Sequence, residues 1–171
     1  MEFKTKAEWA KYIFDSIDSV IPELAGNIHA KLIITAHAAY ESGWGGVAGA
    51  ASASHLKQTN NIFNLTCGAS WTGPRLNQTN ADDSYAPDGT YLGRISQCWR
   101  SYPSQLAALA DYWKFLDASR YASRGVKGFI KAGDVVGFSQ ALSNAGYYTL
   151  PVSKYSASLN NIVSTVAGFV A

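Results

Sequence analysis

The chain has few cysteines, few charged residues and no long apolar run. Only two of its 171 residues are cysteine, and 14 basic side chains stand against 12 acidic ones, for a net charge of +2. A balance this close to neutrality, without a block of like charges, gives no electrostatic reason for a nucleic-acid partner. No apolar run is long enough to cross a bilayer, so we expect no membrane insertion.

The cysteines also bear on metal binding and on cross-linking. Cys67 and Cys98 have no paired Cys or His neighbours at zinc-binding spacing, so we expect no metal and no cofactor. Both lie in segments with a β-like pattern and could form one bridge across a sheet. Buried free thiols are the alternative, and it is the one we favour from sequence alone.

The chain is rich in apolar and aromatic residues. Apolar residues make up 47% of it and charged residues 15%, which predicts one folded domain over residues 1–171. Five Trp and ten Tyr raise the aromatic share to 13%. Sugar rings stack on such faces, so the composition suits a saccharide groove, while core packing is the alternative for many of them.

Helical patterns open the chain. Thr5 with Glu8 forms a capping box that begins an amphipathic helix, and Pro22 ends it. Residues 27–40 predict a second, alanine-rich helix that can pack closely against its neighbours. Gly43 then marks the end of this helix.

The middle of the chain changes character. Residues 49–59 are small and polar and predict a surface loop, and residues 60–65 predict a short extended segment. From 67 to 100, glycine and proline punctuate strand-like stretches, and Asp88-Gly89 is a hairpin-turn signal. We therefore expect a β lobe at about residues 62–100.

Helices return after this lobe. A helical pattern resumes near Ser104, Asp134 is a candidate N-cap, Gly146 is a stop signal, and a last helix follows Pro151. The predicted fold is α+β: mostly helical, with a small β-hairpin lobe beside a cleft.

One carboxylate lies where a general acid would be useful. Glu41 falls where the alanine-rich helix meets glycines, and aromatic residues flank it. A carboxyl group among apolar atoms keeps its proton more readily, because its charged form loses hydration. Cleavage of a glycosidic bond needs such a proton for the departing oxygen. His37, one helical turn earlier on the same face, is a polar neighbour of the acid, and it is either a hydrogen-bonded structural residue, which we favour, or a base.

Six segments, taken in order, are similar to a known family. They are Ala38-Ala39-Tyr40-Glu41-Ser42-Gly43-Trp44-Gly45, Asn60-Asn61-Ile62-Phe63-Asn64-Leu65, Trp71-Thr72-Gly73, Trp99-Arg100-Ser101-Tyr102-Pro103-Ser104, Asp111-Tyr112, and Ala145-Gly146-Tyr147-Tyr148-Thr149 with Tyr155. This order resembles the successive motifs of glycoside hydrolase family 73, the peptidoglycan endo-β-N-acetylglucosaminidases. The resemblance implies a lysozyme-like fold.

The resemblance also implies roles for individual residues. Glu41 falls on the family's proton donor, and Tyr147 falls on a tyrosine that helps to position the substrate or the reacting centre. Leu150 or a neighbour replaces the aspartate of the tyrosine motif, and His37 stands where the family usually has glutamine. We predict substrate contacts for six residues in or beside the motifs: His37, Trp44, Asn61, Phe63, Trp71 and Tyr148.

A second carboxylate is harder to place. Many relatives carry a glutamate in the β lobe, whereas this lobe has none between Cys67 and Arg100. Asp83 and then Asp82 are the candidates. Inverting, retaining and substrate-assisted routes all stay open, the last of these needing no second protein carboxylate.

The predicted function is hydrolysis of the β-1,4 bond of the wall glycan by a monomer whose partner is the bacterial peptidoglycan strand. A muramidase, a lytic transglycosylase and a noncatalytic wall-binding module are the alternatives. Residues 1–6 lack the apolar core of a signal peptide. We therefore expect an endolysin-like route, from the host cytoplasm to the wall on lysis, with a virion-borne or wall-associated autolytic domain as the alternative.

Overall fold

The computed structural model describes residues 2–47, 56–85 and 90–171, and for residues 80–85, 92 and 94 it describes the backbone alone. The helices within these ranges are α1 (Lys6–Val20), α2 (Ile28–Ser42), α3 (Leu56–Thr59), α4 (Gln105–Phe115), α5 (Ser119–Ala122), α6 (Val126–Ala132), α7 (Val135–Asn144) and α8 (Val152–Val170). Two single-turn 3-10 helices cover Pro22–Leu24 and Trp44–Gly46. Strands β1 (Arg75–Tyr85) and β2 (Tyr91–Arg100) form one antiparallel pair. The expected α+β architecture is confirmed.

Local capping explains where the main helices begin. Thr5 accepts a hydrogen bond from the backbone N–H of Glu8, and the Glu8 carboxylate reaches back to the N–H of Thr5. Ser104 and Asp134 cap α4 and α7 in the same way, by accepting a backbone N–H from the first turn. The caps at Thr5 and Asp134 were predicted from the sequence, and for Ser104 the sequence predicted that a helical pattern resumes near it.

Helix α2 is the centre of the molecule. It packs against α1, α6 and α8, and its alanines at positions 36, 38 and 39 are at most 1% exposed. Small side chains let the neighbouring helices approach closely, so most of the circumference of α2 is covered. Its last turn is therefore held in place by the core.

The hairpin is joined to the helical part through residues 65–67. Cys67 N–H donates to Cys98 O at 2.8 Å, and Arg100 N–H donates to Leu65 O at 3.0 Å. This antiparallel contact brings the Cα atoms of Cys67 and Cys98 to 5.4 Å, a separation that suits a disulfide, and the two residues form one. The expectation of free thiols is therefore wrong.

Three other expectations concern turns and loops in the middle of the chain. Residues 60–65 form turns rather than an extended segment, because Asn60 (φ 52°) and Asn64 (φ 51°) both adopt left-handed backbone conformations. The expected loop at 49–59 ends in helix α3, whose Leu56 is 3% exposed; its residues 49–55 lie outside the described ranges. The predicted turn at Asp88-Gly89 also lies outside them.

Candidate active site

The candidate site is built on the C-terminal end of α2. Gly43 adopts φ 61° and ends the helix, and the chain then reverses through Trp44–Gly46. Glu41 therefore lies in the last helical turn, with its side chain 13% exposed. Its carboxylate is neither sealed in the core nor directed into open solvent.

Two side chains hold the Glu41 carboxylate. Tyr155 on α8 donates its hydroxyl to Oε1 at 2.8 Å. The Asn64 amide donates to the Glu41 backbone oxygen at 2.6 Å and to Oε2 at 3.2 Å. Asn64 can do this because its left-handed backbone turns residues 61–65 toward the end of α2. Oε1 thus has the shorter hydrogen bond, and Oε2 has the longer one.

His37 lies behind the carboxylate and is fully buried. Its Nδ1 is 2.8 Å from the Tyr112 hydroxyl, and its Nε2 is 3.4 Å from Glu41 Oε1, too poorly aligned for a hydrogen bond. A hydroxyl that donates to Nδ1 leaves the proton of a neutral imidazole on Nε2, which is the nitrogen nearest to Glu41. Five aromatic rings pack around the imidazole: Phe63, Tyr112, Phe138, Tyr147 and Tyr155.

The three tyrosines that pack around His37 keep their hydroxyl protons. Burial raises the pKa of Tyr112, Tyr147 and Tyr155 well above the ordinary tyrosine value, and the negative charge of Glu41 raises each pKa further. We call Glu41, His37 and these three tyrosines the glutamate cluster. Its hydroxyls therefore stay neutral across the physiological range.

A cavity of about 260 Å³ opens beside Glu41. Its walls come from the end of α2, the turn after Asn64, the end of α4, helix α5 and the segment after α7. The lining residues are Glu41, Asn64, Leu65, Thr66, Phe115, Arg120, Tyr121, Gly146 and Tyr147. Among the described residues, Glu41 is the one carboxylate that lines this cavity and Arg120 is the one guanidinium. An acid beside aromatic walls is an arrangement that can protonate a bound sugar oxygen.

Of the residues predicted from sequence, Tyr147 lines the cavity with Glu41. Its hydroxyl donates to Phe63 O at 2.6 Å. Phe63 itself is fully buried and stacks on Tyr112 with ring centroids 3.8 Å apart. Asn61 is 1% exposed, and its side chain bonds both backbone groups of Leu65. His37, Phe63 and Asn61 thus support the site from within the protein.

The three remaining aromatic predictions lie outside the cavity wall. Trp44 packs edge-on against Trp9 and Phe169. Trp71 donates its indole N–H to Pro74 O. Tyr148 stacks on Tyr155 at 3.7 Å, and its hydroxyl donates to Ser139 O. Their contact with substrate stays a prediction.

The predicted second carboxylates lie on β1. The backbone of Asp82 pairs with Ile95 and that of Asp83 pairs with Arg94. The side chains of both aspartates lie outside the described part of the structure. Their role stays a prediction.

Sequence reasoning missed Asn64, Tyr155 and Arg120 as site residues. Asn64 and Tyr155 stand within the quoted motifs, but their contacts with Glu41 span 23 and 114 residues and carry no local signal. Arg120 lies on the short helix α5, whose four residues are too few to show a helical pattern.

The described residues hold neither a metal site nor a membrane-spanning helix. No group of three or more His, Cys, Asp or Glu side chains in these residues could hold a metal ion. No helix in the described ranges has the length and apolar character needed to span a membrane.

Fold and site together define a class: a mostly helical glycoside hydrolase domain of lysozyme-like fold, with one glutamate at a helix end beside a cavity. The family model Glucosaminidase, described as mannosyl-glycoprotein endo-β-N-acetylglucosaminidase, matches residues 23–167. The chain therefore belongs to the glucosaminidase family, and its resemblance to glycoside hydrolase family 73 is confirmed.

Curated relatives include two peptidoglycan hydrolases. The chain is 31% identical over 138 residues to peptidoglycan hydrolase FlgJ of Salmonella typhimurium, and 30% identical over 139 residues to FlgJ of Escherichia coli K12. Each match covers 77% of this chain but 38% of the relative. The chain thus spans well under half the length of these proteins.

Solved structures show the same fold. The glycoside hydrolase domain of Salmonella typhimurium FlgJ, truncated at its C-terminus, superposes with a TM-score of 0.55 at 26% identity, covering 93% of this chain and 98% of that one. The catalytic domain of the Listeria monocytogenes autolysin Auto gives a TM-score of 0.63 at 20% identity, covering 95% and 86%.

Proposed function

We propose that this chain hydrolyses the glycan of bacterial peptidoglycan as an endo-β-N-acetylglucosaminidase, with Glu41 as the general acid. The observation that carries the proposal is a largely buried carboxylate, hydrogen-bonded by Tyr155 and Asn64, that lines a cavity in a glucosaminidase-family domain. The peptidoglycan hydrolase names of its relatives give the substrate class.

The hydrogen bonds indicate which oxygen holds the proton. Oε1 of Glu41 already accepts the Tyr155 hydroxyl at 2.8 Å, whereas within the described part of the chain Oε2 has only the 3.2 Å contact with Asn64. A protonated carboxyl group therefore carries its hydrogen on Oε2 and keeps Oε1 as the acceptor. In the proposed reaction Oε2 gives this proton to the glycosidic oxygen as the bond to the anomeric carbon breaks. Water supplies the hydroxyl of the new reducing end.

The residues behind Glu41 stabilise the carboxylate that this step leaves. The Tyr155 hydroxyl is a charge-assisted donor to the anion, and His37 Nε2 is 3.4 Å from the same oxygen. The Tyr147 hydroxyl donates its hydrogen bond to Phe63 O, so the Tyr147 ring contributes a rigid wall to the cavity. We propose that this ring positions the reacting sugar.

Asp83, and after it Asp82, are our proposals for a second carboxylate. Asn substitutions at the two positions test them separately. An inverting or retaining route through one aspartate predicts that its Asn variant loses most of kcat, while the other variant keeps it. Activity preserved in both variants, and in the double variant, supports assistance by the substrate N-acetyl group instead.

The products provide the test of the reaction. Purified sacculi are digested, the new ends are reduced with borohydride, and the fragments are weighed by mass spectrometry. A glucosaminidase gives reduced N-acetylglucosamine at the new ends. Reduced N-acetylmuramic acid contradicts the proposal in favour of a muramidase, and anhydro ends contradict it in favour of a lytic transglycosylase.

We further propose that residues 1–171 act as one monomeric catalytic domain on the wall, and that the protein reaches the wall as endolysins do, when the host cell lyses. Light scattering of the purified chain tests the monomer. Fractionation of expressing cells tests the route: the protein is expected in the cytoplasm before lysis, and accumulation in the periplasm of intact cells contradicts it.

A further inference from the structure

We propose that Arg120 binds a carboxylate on the lactyl-peptide branch of the sugar that leaves during cleavage, so that the site selects branch-bearing glycan. This inference rests on the proposed function and names the part of the substrate that the cavity recognises.

Arg120 shares the wall of the Glu41 cavity with two aromatic rings. Its guanidinium carbon is 4.7 Å from the centroid of the Tyr121 ring and 5.9 Å from that of Phe115, and all three residues line the cavity. Such contacts hold the planar group against an aromatic surface, and a guanidinium that hydrogen-bonds the Tyr121 side chain keeps further N–H donors for a ligand. The guanidinium is therefore positioned at the edge of the space where the sugar would bind.

The charge of Arg120 has no carboxylate partner among the side chains that the structure describes. Some other cations of the molecule are paired, for example Arg100 with Asp111 at 2.7 Å and Lys127 with Asp117 at 2.6 Å. For Arg120, no aspartate or glutamate oxygen of the side chains that the structure describes, those of residues 2–47, 56–79, 90–91, 93 and 95–171, lies within ion-pair distance. A cation left unpaired in a cavity is available to an anionic ligand group.

The chemistry of the strand supplies such a group close to the reacting oxygen. The amino-sugar rings are neutral, so the carboxylates of the lactyl-peptide branch are the anionic groups of the repeating unit. That branch is attached at C3 of N-acetylmuramic acid, next to the C4 oxygen to which Glu41 would give its proton. A cation in the same cavity as Glu41 is thus within reach of the branch.

The test compares strands that differ in branch charge. Peptide-bearing strands and amidase-stripped strands, which carry the peptide carboxylates and the free lactyl carboxylate respectively, are each prepared native and with their carboxylates converted to neutral methylamides. Release of reducing ends is measured for the wild type, Arg120→Gln and Lys114→Gln. Lys114 is an exposed cation on α4 outside the cavity lining, so its variant matches the loss of one charge.

We expect the wild type and Lys114→Gln to cleave a native strand with about tenfold higher kcat/KM than its neutralised form, and Arg120→Gln to cleave both forms equally. The strand that shows the difference identifies the peptide or the lactyl carboxylate. Equal cleavage of native and neutralised strands by the wild type, or an unchanged preference in Arg120→Gln, overturns this inference alone. Failure to cleave any strand overturns the proposed function, and this inference with it.

Discussion

Replacing Tyr155 by phenylalanine isolates one hydrogen bond of the candidate site. The hydroxyl donates to Glu41 Oε1 at 2.8 Å, while the ring is 1% exposed and stacks on Tyr148 at 3.7 Å. Phenylalanine keeps the ring and its packing and removes only the donor. The substitution therefore leaves Oε1 without the Tyr155 hydrogen bond and 3.4 Å from His37 Nε2.

The size of the expected loss of kcat follows from the change in charge at Glu41 during proton transfer. The carboxylate that forms is stabilised by the Tyr155 hydroxyl more strongly than the neutral acid is. A hydrogen bond to a charged group contributes about 1.5–3 kcal/mol. If most of this stabilisation develops in the transition state, kcat of Tyr155→Phe falls by roughly 10- to 100-fold, with little change in KM.

The assay measures reducing ends released from solubilised glycan strands, below the melting temperature of every variant. Tyr102→Phe is the matched control, because Tyr102 also donates its hydroxyl to a carboxylate, Asp111 Oδ2 at 2.7 Å, outside the cavity lining. It is expected to lose a similar amount of stability and to keep kcat within about twofold of the wild type.

Two results would refute this reasoning. One is a kcat for Tyr155→Phe within twofold of the wild type. The other is an equal loss of kcat in Tyr155→Phe and Tyr102→Phe, which would show that general loosening of the fold, rather than the bond to Glu41, lowers activity.

Three other predictions concern stability. Reduction of the Cys67–Cys98 disulfide, whose partners are 31 residues apart, is expected to cost about 3–4 kcal/mol of unfolding free energy; calorimetry with and without a phosphine reductant checks this, and an unchanged Tm in a fully reduced sample contradicts it. Gly45→Ala would place a Cβ 1.8 Å from Trp9 Nε1 at φ +66°, whereas Gly26→Ala at φ +74° meets nothing within 4 Å. We expect Gly45→Ala to cost roughly 2–4 kcal/mol and Gly26→Ala about 1 kcal/mol, so equal Tm losses would be inconsistent with the predicted clash. Finally, the raised pKa values of the tyrosines in the glutamate cluster mean that the folded state keeps protons which the unfolded chain releases; the stability they contribute is complete below about pH 10 and is lost as pH rises further. Circular dichroism melts from pH 8 to 11 should show Tm falling above about pH 10, and a rising Tm there would reverse the sign.

Local signals made much of the fold predictable. The Thr5 capping box, the Asp134 cap and the glycine after α2 act within a few residues of chain, so sequence alone places these helix ends. The hairpin was also predicted from turn residues between strand-like stretches. Helices α5 and α6, of four and seven residues, were missed because so short a run shows no clear period.

Contacts between residues distant in sequence determine the features that local patterns did not predict. The Cys67–Cys98 bridge depends on residues 65–67 lying beside β2, which no local pattern reveals. The turns at 60–65 depend on the Asn61 amide closing on Leu65, so an alternating pattern there was misleading. Glu41 could be selected as a candidate from its helix end and neighbouring glycines.

The residues that surround Glu41 could not be predicted in the same way. Tyr155 is 114 residues away in sequence, and Arg120 reaches the cavity only through the packing of α5. The sequence alone also could not rank the predicted aromatic residues by their distance from the cavity. A site assembled from α2, α4, α5 and α8 becomes visible only once those helices are packed together.

The most direct test of the account is the activity of Glu41→Gln on purified sacculi. Glutamine is close in size to glutamate and its amide oxygen can still accept the Tyr155 hydroxyl, but it has no acidic proton to give. With the fold verified by circular dichroism, we predict that release of reducing ends falls by at least about a thousandfold relative to the wild type. Clearing of sacculi by Glu41→Gln at the wild-type rate would contradict the assignment of Glu41 as the general acid.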